Sequence, residues 1–471
     1  MMNTKLDAIV IGAGSAGLAA VKQISKQTDN FLLINEGPYG TTCARVGCMP
    51  SKVLIEAANA FHARHKAEAF GIRGHQNLTI DLPAVMQRVR NLRDRFVKGV
   101  LKSTEGLGER SISGRAILLD HQTVKVGSNT FKAKRIILAT GSTPIMPKPW
   151  MQLGDKILTT DNFFEQKDLP KRMAIIGLGP IGVEIAQALS RLGIDVHAFG
   201  KTDQIAGVSD PEIAKTLRTS LESEFSIYTS HEVELTGTAE GVRVEAGPVS
   251  IEVDKVLAAV GRKPNVDNLG LDRLGVSLDS RGMPSFDRHT MQIENLPIFI
   301  AGDANADVSL LHEAADEGYI AGLNATADDV TCFQRRTPLA VVFSDPGIAA
   351  VGVRYSELDQ PASLIGSINF ATQGRALSAQ RNNGLMRIYA RQSDGLLLGA
   401  EMCCPAAEHM SHLLALAIGR HLTVQDLLGM PFYHPVLEEG LRSALRDIAG
   451  QLNGSQRDLV TCSNYEAEAL N

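Results

Sequence analysis

Residues 6–17 read LDAIVIGAGSAG, a short β-branched run leading straight into Gly12-x-Gly14-x-x-Gly17. The next segment, LAAVKQISKQ, has helical spacing, and FLLINE then returns as a second apolar strand ending at Glu36. Strand, glycine turn, helix, strand and acid in this order form a dinucleotide-binding unit. Gly12 permits the tight turn, Gly14 lets backbone approach a pyrophosphate, and Gly17 allows close helix–strand packing. The helix N-terminus turns its positive dipole end toward the phosphates. Glu36, 24 residues after Gly12, is placed to accept hydrogen bonds from ribose hydroxyls.

The pattern recurs at 174–182, AIIGLGPIG, followed by VEIAQALSRLG and the strand IDVHAF. Gly177, Gly179 and Gly182 repeat the three glycine roles. Each unit has a later strand that ends in glycine, RIILATGSTP around Gly141 and KVLAAVGRKPN around Gly261. Small residues at a strand end let backbone come close to a nucleotide. Pro144, Pro147, Pro149 and Pro170 mark the linker between the units. PIFIAGDANAD then supplies a further strand that returns the chain to the first unit, with Asp303 at its terminus. The second unit is thus inserted in the first. Two dinucleotide sites imply a pair of cofactors that exchange electrons, a resident flavin and a diffusing nicotinamide.

The expected fold is α/β, with two Rossmann-like dinucleotide-binding domains, the second inserted in the first, and a C-terminal α+β domain. At roughly 150 residues per domain, 471 residues correspond to about three domains. The expected boundaries are 1–147 with 268–330 for the FAD-binding domain, 148–267 for the NAD(P)-binding domain and 331–450 for the interface domain. Residues 451–471 form a polar tail without period, which includes Cys462. Lys and Arg number 47 against 52 Asp and Glu, a net charge of −5 without long blocks of one sign. That excludes a dedicated nucleic-acid or membrane-surface binder, which relies on concentrated basic charge. No apolar run approaches the ~18 residues of a membrane helix, and no export signal is visible, so the expected location is cytoplasmic. Six cysteines in this length are no secreted disulfide scaffold.

Directly after the first unit comes GTTCARVGCMPSK, with Cys43 and Cys48 five positions apart. Two buried thiols would behave as small hydrophobes, and a zinc half-site would need a second ligand pair that is not nearby. A disulfide across five residues closes a small strained loop and is readily reduced, which suits exchange chemistry. Pro50-Ser51-Lys52 and the helix VLIEAANAFHARH would supply dipole and charge favouring a thiolate. Cys332, Cys403 and Cys404 read as core strand residues, and no metal site is expected.

LDAIVIGAGSAG, TTCARVGCMPSK, LATGS, IIGLGPIGVE, AVGRKPN, IAGD and FYHPVLEE follow one another in the order found in the flavin-dependent pyridine nucleotide–disulfide oxidoreductases. The chain resembles that family, and its dihydrolipoamide dehydrogenase type, over about residues 6–448. The resemblance implies that Cys43 is the interchange thiol and that Cys48 is the thiolate facing the flavin. Lys52 would lie beside the flavin and pair with Glu184 of the nicotinamide unit. The same resemblance assigns Gly12, Gly14, Ser15, Ala16, Gly17, Glu36, Gly40, Thr42, Lys52, Ala116, Thr140, Gly141 and Ser142 to FAD, with Asp303, Leu311 and His312. It assigns Gly177, Gly179, Pro180, Ile181, Gly182, Lys201, Val233 and Gly261 to NAD or NADP.

Near the C-terminus, FYHPVLEEGLRSAL places His434 before Pro435, read as the first residue of a helix, with Glu439 about a turn later. By itself such a histidine is a surface or capping residue. By resemblance, His434 and Glu439 reach the partner subunit's thiol pair, His434 as base, so that the active site spans a homodimer. LAVVFSD, LMRIYAR and LLLGAEMC read as an antiparallel sheet with one buried face, and AAEHMSHLLALAIGRHL as an amphipathic helix.

The chain departs from the family pattern at several positions. Counting 24 residues from Gly177 lands on Lys201, where an NAD site carries an acid and a basic residue accommodates a 2′-phosphate. Gly182 points the other way, since NADP-using relatives often carry alanine there. Phe432 and Val436 stand where lipoamide enzymes carry histidine and threonine, and Arg45 where they carry a neutral residue. The expected function is electron exchange between NAD(P)(H) and a dithiol or disulfide of the dihydrolipoamide type, in reach of a 2-oxo acid dehydrogenase complex. The alternatives are an NADPH-dependent reductase of another disulfide, glutathione-reductase-like, or of a soft metal ion, mercuric-reductase-like. From another class comes a noncatalytic flavin-binding redox sensor.

Overall fold

The computed structural model describes residues 5–452. The chain divides into two compact units. The first comprises Met1–Leu54, Asp81–Leu169 and Val260–Arg335, the second Ile55–Ile80, Pro170–Ala259 and Arg336–Asn471.

In the first unit, Leu6–Ile11 lies between two parallel neighbours, Phe31–Asn35 and Asn129–Leu138. Ser111–Ser113 extends the parallel sheet beyond Phe31–Asn35, and Ile298–Ile300 adds on the far side of Asn129–Leu138. That ten-residue strand changes partners along its length. Its first half pairs antiparallel with Thr123–Val126, and its apolar second half, Ile136 to Leu138, joins the parallel core. The apolar runs are buried on both faces, as parallel strands covered by helices must be. Helix Ser15–Ile24 packs on helix Leu311–Thr326 through small residues. A Cβ at Gly318 would stand 2.0 Å from the Ala16 carbonyl oxygen, and one at Gly322 would stand 2.7 Å from that of Ala20.

The second unit repeats the parallel arrangement with Ser226–Thr229, Asp195–Gly200, Arg172–Ile176 and Lys255–Ala258, in that spatial order. Glu234–Gly237, Val242–Ala246 and Val249–Val253 form an antiparallel meander. The C-terminal part is a five-stranded antiparallel sheet. Its order is Leu339–Val342, Gly347–Gly352, Leu397–Cys404, Leu385–Arg391 and Ser363–Asn369. Helices Ala407–Gly419 and Glu439–Gln451 complete its core. A buried polar cluster ties the Pro211–Glu222 helix to this sheet. Asp210 caps the helix, accepts the Tyr389 hydroxyl at 2.8 Å and pairs with Arg387 at 2.6 Å. Burial and the Asp210 carboxylate together push the Tyr389 phenol up.

Three expectations change. Cys332 is exposed and outside any strand, because the chain there runs as an extended connection after the 311–326 helix. Cys403 and Cys404 are fully buried core residues, as read. Pro435 does not open the last helix: a cis His434–Pro435 bond leads into a turn, and the helix begins at Glu439. The helix after the cysteine pair begins at Cys48 and not at Val53. The tail from residue 453, with Cys462, lies outside the described residues.

Candidate active site

The first glycine turn is imposed by backbone contacts. Gly12 has φ +109°, and a Cβ there would stand 2.2 Å from the Ala139 carbonyl oxygen. A Cβ at Gly17 would stand 1.9 Å from the Gly12 carbonyl oxygen, so glycine alone lets the helix sit this close to the turn. Gly14 differs, since a methyl there would meet only the Ala139 oxygen, at 4.0 Å. The helix starts next, with Ser15 and Ala16 in its first turn. Asn35, at the end of the second strand, holds the turn by accepting the Ala13 N–H at 3.0 Å. Glu36 follows it, largely exposed, 3.9 Å from Arg115.

The neighbouring strand ends bring the other expected residues of this unit to the same sheet edge. Gly141 has φ +69° and open space where a side chain would be. The buried Thr140 hydroxyl lacks a hydrogen-bond partner, an orphan that a bound ligand can satisfy. Asp303 accepts the Ser142 hydroxyl at 2.5 Å, and Arg262 donates to Ser142 at 2.7 Å. The Asp303 turn is held from below by Glu317, which accepts the Gly302 N–H at 2.7 Å and the Asn305 amide at 2.8 Å. Burial pushes the Glu317 carboxyl up, while the Gly302 N–H and the Arg335 charge pull against that shift. Open backbone at Gly14, an orphan hydroxyl at Thr140 and a carboxylate at the strand end fit a dinucleotide. Leu311 and His312 open the following helix, both exposed, with His312 3.7 Å from Glu313. Ala116 is buried in its strand, and Gly40 has φ +113° beneath the stem of Arg45.

The second turn repeats the first. Gly177 has φ +109°, a Cβ at Gly182 would stand 1.8 Å from the Gly177 carbonyl oxygen, and Gly179 is open. Gly182 is therefore set by helix–strand packing and carries no vote on the coenzyme. Pro180 opens the helix, Ile181 is exposed beside it, Val233 is half-buried and Gly261 has φ +113°. Glu184 is buried on this helix, and its carboxylate accepts the Phe343 N–H at 3.0 Å. Lys201 is exposed and pairs with Glu232 at 2.8 Å.

The cysteines meet because of Gly47. The short helix Thr42–Val46 carries Cys43, and the chain turns so tightly at Gly47 that a Cβ there would stand 3.2 Å from the Cys43 Cα. Cys48 then opens the 15-residue helix Cys48–His62. Both are thiols, and Cys43 donates its hydrogen to the Cys48 sulfur. That bond, with burial second, pushes the Cys43 thiol up, while the Lys52 charge pulls it down. The raised Cys43 thiol and the Cys48 sulfur are thus in contact at the start of the helix. Lys52 lies one turn along, 3.4 Å from the Ser51 hydroxyl.

In the second unit, His434 Nδ1 lies 3.1 Å from a Glu439 carboxylate oxygen. Glu439 also accepts the Val436 N–H at 3.3 Å and an Arg442 N–H at 3.1 Å. The His434 bond holds the Glu439 carboxyl below the ordinary range. With Nδ1–H turned to Glu439, Nε2 faces outward, and the imidazole is 80% exposed. Phe432 packs on the C-terminal core with Arg442 over its ring, so the position of a second histidine is taken by a packing residue.

Sequence reasoning missed Arg262, Asn35 and Glu317, which position the first site, and Glu232 in the second. Their contacts are to residues far along the chain, except that an acid 15 residues after Gly302 is within sight of its turn. Among the described residues no group of three or more His, Cys, Asp or Glu is arranged for a metal ion, and no helix is long and apolar enough to cross a membrane.

The chain is 33% identical to a dihydrolipoyl dehydrogenase of Chlamydia pneumoniae, over 93% of this chain and 96% of the relative. It is 29% identical to one of Haloferax volcanii, over 95% and 97%. Among solved structures, LpdA from Mycobacterium tuberculosis has a TM-score of 0.81 at 26% identity, with 93% of this chain and 99% of that one covered. The flavoprotein disulfide reductase RclA from Escherichia coli, solved as a Cu(II) complex, has a TM-score of 0.82 at 21% identity, with 94% and 99% covered, a likeness of fold. The family model for pyridine nucleotide-disulphide oxidoreductases matches residues 6–318, and that for the family's dimerisation domain matches residues 339–445. The chain therefore belongs to the pyridine nucleotide-disulphide oxidoreductases.

Proposed function

We propose that this family member is a homodimeric dihydrolipoamide dehydrogenase-type enzyme in which Cys43 and Cys48 exchange electrons with a dithiol or disulfide. The observation that carries the reading is the hydrogen-bonded thiol pair at the start of the Cys48–His62 helix. The family's cofactors are FAD and NAD(P)(H), and FAD when bound supplies the two-electron link between nicotinamide and thiols. The FAD site comprises the first glycine turn, Glu36, the strand ends at Thr140–Ser142 and Asp303. The nicotinamide coenzyme takes the second turn. This reading keeps the domain boundaries set by the sequence, 1–147 with 268–330, 148–267 and 331–450.

Cys43 is the thiol that exchanges with substrate, and a thiol pushed up in this way needs a base before it can attack. His434, with Nδ1–H fixed on Glu439, offers Nε2 for that proton to the partner subunit's Cys43. A reversible thiol pair suits a reducing, cytoplasmic setting, and a lipoyl-bearing 2-oxo acid dehydrogenase complex is the fitting partner. Lys201 and Arg45 favour a second reading, an NADPH-dependent reductase of another, anionic disulfide.

The test is to mix flavin-loaded protein with dihydrolipoamide and either NAD or NADP and follow nicotinamide reduction. Rapid turnover with one nucleotide is the expected result. No turnover with either, from protein whose flavin NADPH still reduces, refutes lipoamide as substrate in favour of the second reading.

A further inference from the structure

Strand Asp195–Gly200 ends beside strand Ser226–Thr229, with Gly200 in register with Thr229. The loops that follow are tied together. The Thr229 hydroxyl donates to Asp203 at 2.6 Å, and Arg218 donates to Thr229 at 3.0 Å. This linkage carries Glu232 to Lys201, and their side chains meet at 2.8 Å with both about four-fifths exposed. In a dinucleotide fold this sheet edge faces the adenosine ribose, where an acid accepts from the 2′-hydroxyl and a cation accommodates a 2′-phosphate. Here the cation stands at the acid's place, and a carboxylate arrives from the neighbouring strand end.

We propose that Glu232 is a specificity-determining residue for the nicotinamide coenzyme. It acts as a resident counter-ion that a 2′-phosphate must displace from Lys201, so it tempers the preference for NADPH that Lys201 alone would confer. The inference rests on the reading of Gly177–Gly182 as the pyridine nucleotide site. Both charges are exposed, so the pair is easily exchanged and its effect is modest and salt-dependent. Asp203 is directed to Thr229 and Ser230, and Arg218 is shared between Thr229, Asp203 and Glu222, which leaves the Lys201–Glu232 pair as the exchangeable element.

Isothermal titration of the flavin-loaded protein with adenosine 2′,5′-bisphosphate and adenosine 5′-monophosphate tests this. Neither fragment can be reduced, so the readout does not depend on disulfide turnover. Glu232→Gln is expected to tighten the bisphosphate about two- to fivefold and leave the monophosphate unchanged, with the gain shrinking at high salt. Lys201→Met is expected to abolish the bisphosphate preference, and adding Glu232→Gln to it should then change nothing. An unchanged ratio in Glu232→Gln overturns the proposal. So does a weakened monophosphate, which would make Glu232 a ribose acceptor. If neither fragment binds the native protein, the nucleotide site itself is misread. The expected ratio shift in protein that turns over no dithiol would sustain the proposal and fail only the substrate reading.

Discussion

Gly14 and Gly17 sit three residues apart in one motif, and alanine at each should fail in a different way. Gly14 has φ −80° and ψ −172°, which alanine adopts without strain, and its methyl would meet only the Ala139 oxygen at 4.0 Å. Gly14→Ala should leave the apoprotein as stable as the native one, or raise it by about 0.4–1 kcal/mol through the lost freedom of the unfolded chain. The methyl would instead occupy the space through which a pyrophosphate approaches. At Gly17 the methyl would stand 1.9 Å from the Gly12 oxygen, against an ordinary contact of 3.4 Å or more. The helix must therefore retreat by about 1.5 Å, the difference of those two distances. Overpacking of this kind costs about 1–3 kcal/mol, offset by up to about 1 kcal/mol of helix propensity. At ~2–4 °C per kcal/mol, Gly17→Ala should lower the apoprotein melting temperature by several degrees, and Gly14→Ala should not lower it. The assay is the flavin-to-protein ratio after gel filtration, with thermal melts of the flavin-free proteins by circular dichroism. Both variants should be pale, and only Gly17→Ala destabilised. A Gly14→Ala protein that keeps native flavin affinity, or whose apoprotein melts well below the native one, would refute the reasoning.

Removing Cys48 takes away the first cause of the raised Cys43 thiol, so Cys48→Ala should speed alkylation of Cys43 at neutral pH, about three- to fourfold for each unit its pKa falls. The same variant should lose disulfide turnover while nicotinamide still bleaches the flavin; retained turnover would sink the mechanism. Glu439→Gln should cut kcat by about a hundredfold through a misdirected imidazole, yet shift the melting temperature little, because the His434 bond is exposed. The Glu439 carboxyl is held low, so its contribution to stability is present above ~4.3 and fades as pH falls through the lower folded value. Melts across that acid range should show the loss in native protein and not in Glu439→Gln. Asp210→Ala leaves Arg387 and the Tyr389 hydroxyl without their shared acceptor, at a cost of about 3–5 kcal/mol. A denaturant midpoint unchanged in that variant would show the cluster is satisfied elsewhere.

The nucleotide units were legible because their signals are local. Apolar strand, spaced glycines and helix follow within about 30 residues, and both turns carry the positive φ and close approaches that only glycine supplies. Apolar runs likewise located the C-terminal sheet, but the expected single buried face is not found: Gly347–Gly352 and Leu397–Cys404 bury consecutive residues, because helices cover the inner strands on both faces. Boundaries were less legible. Nothing in CMPSK shows that the helix already starts at Cys48, since proline in a first turn and a loop proline look alike in sequence. Pro435 misled in the opposite direction, for the chain turns once more before the helix. Cys332 was misread because a cysteine is by itself most often a core residue, and its exposure here follows from the path of the chain.

The amino-acid order by itself determined two dinucleotide folds, a thiol pair beside the first and a histidine–acid pair near the C-terminus. Each depends on residues close in sequence, where backbone geometry and periodicity act directly. Only the tertiary structure set Cys43 against Cys48, because that turns on how tightly the chain folds at Gly47. Tertiary structure alone brought Glu232 to Lys201 from 31 residues away, and Arg387 and Tyr389 to Asp210 from more than 170. Charges act through space and not along the chain, so their partners appear only once the strands have found their neighbours.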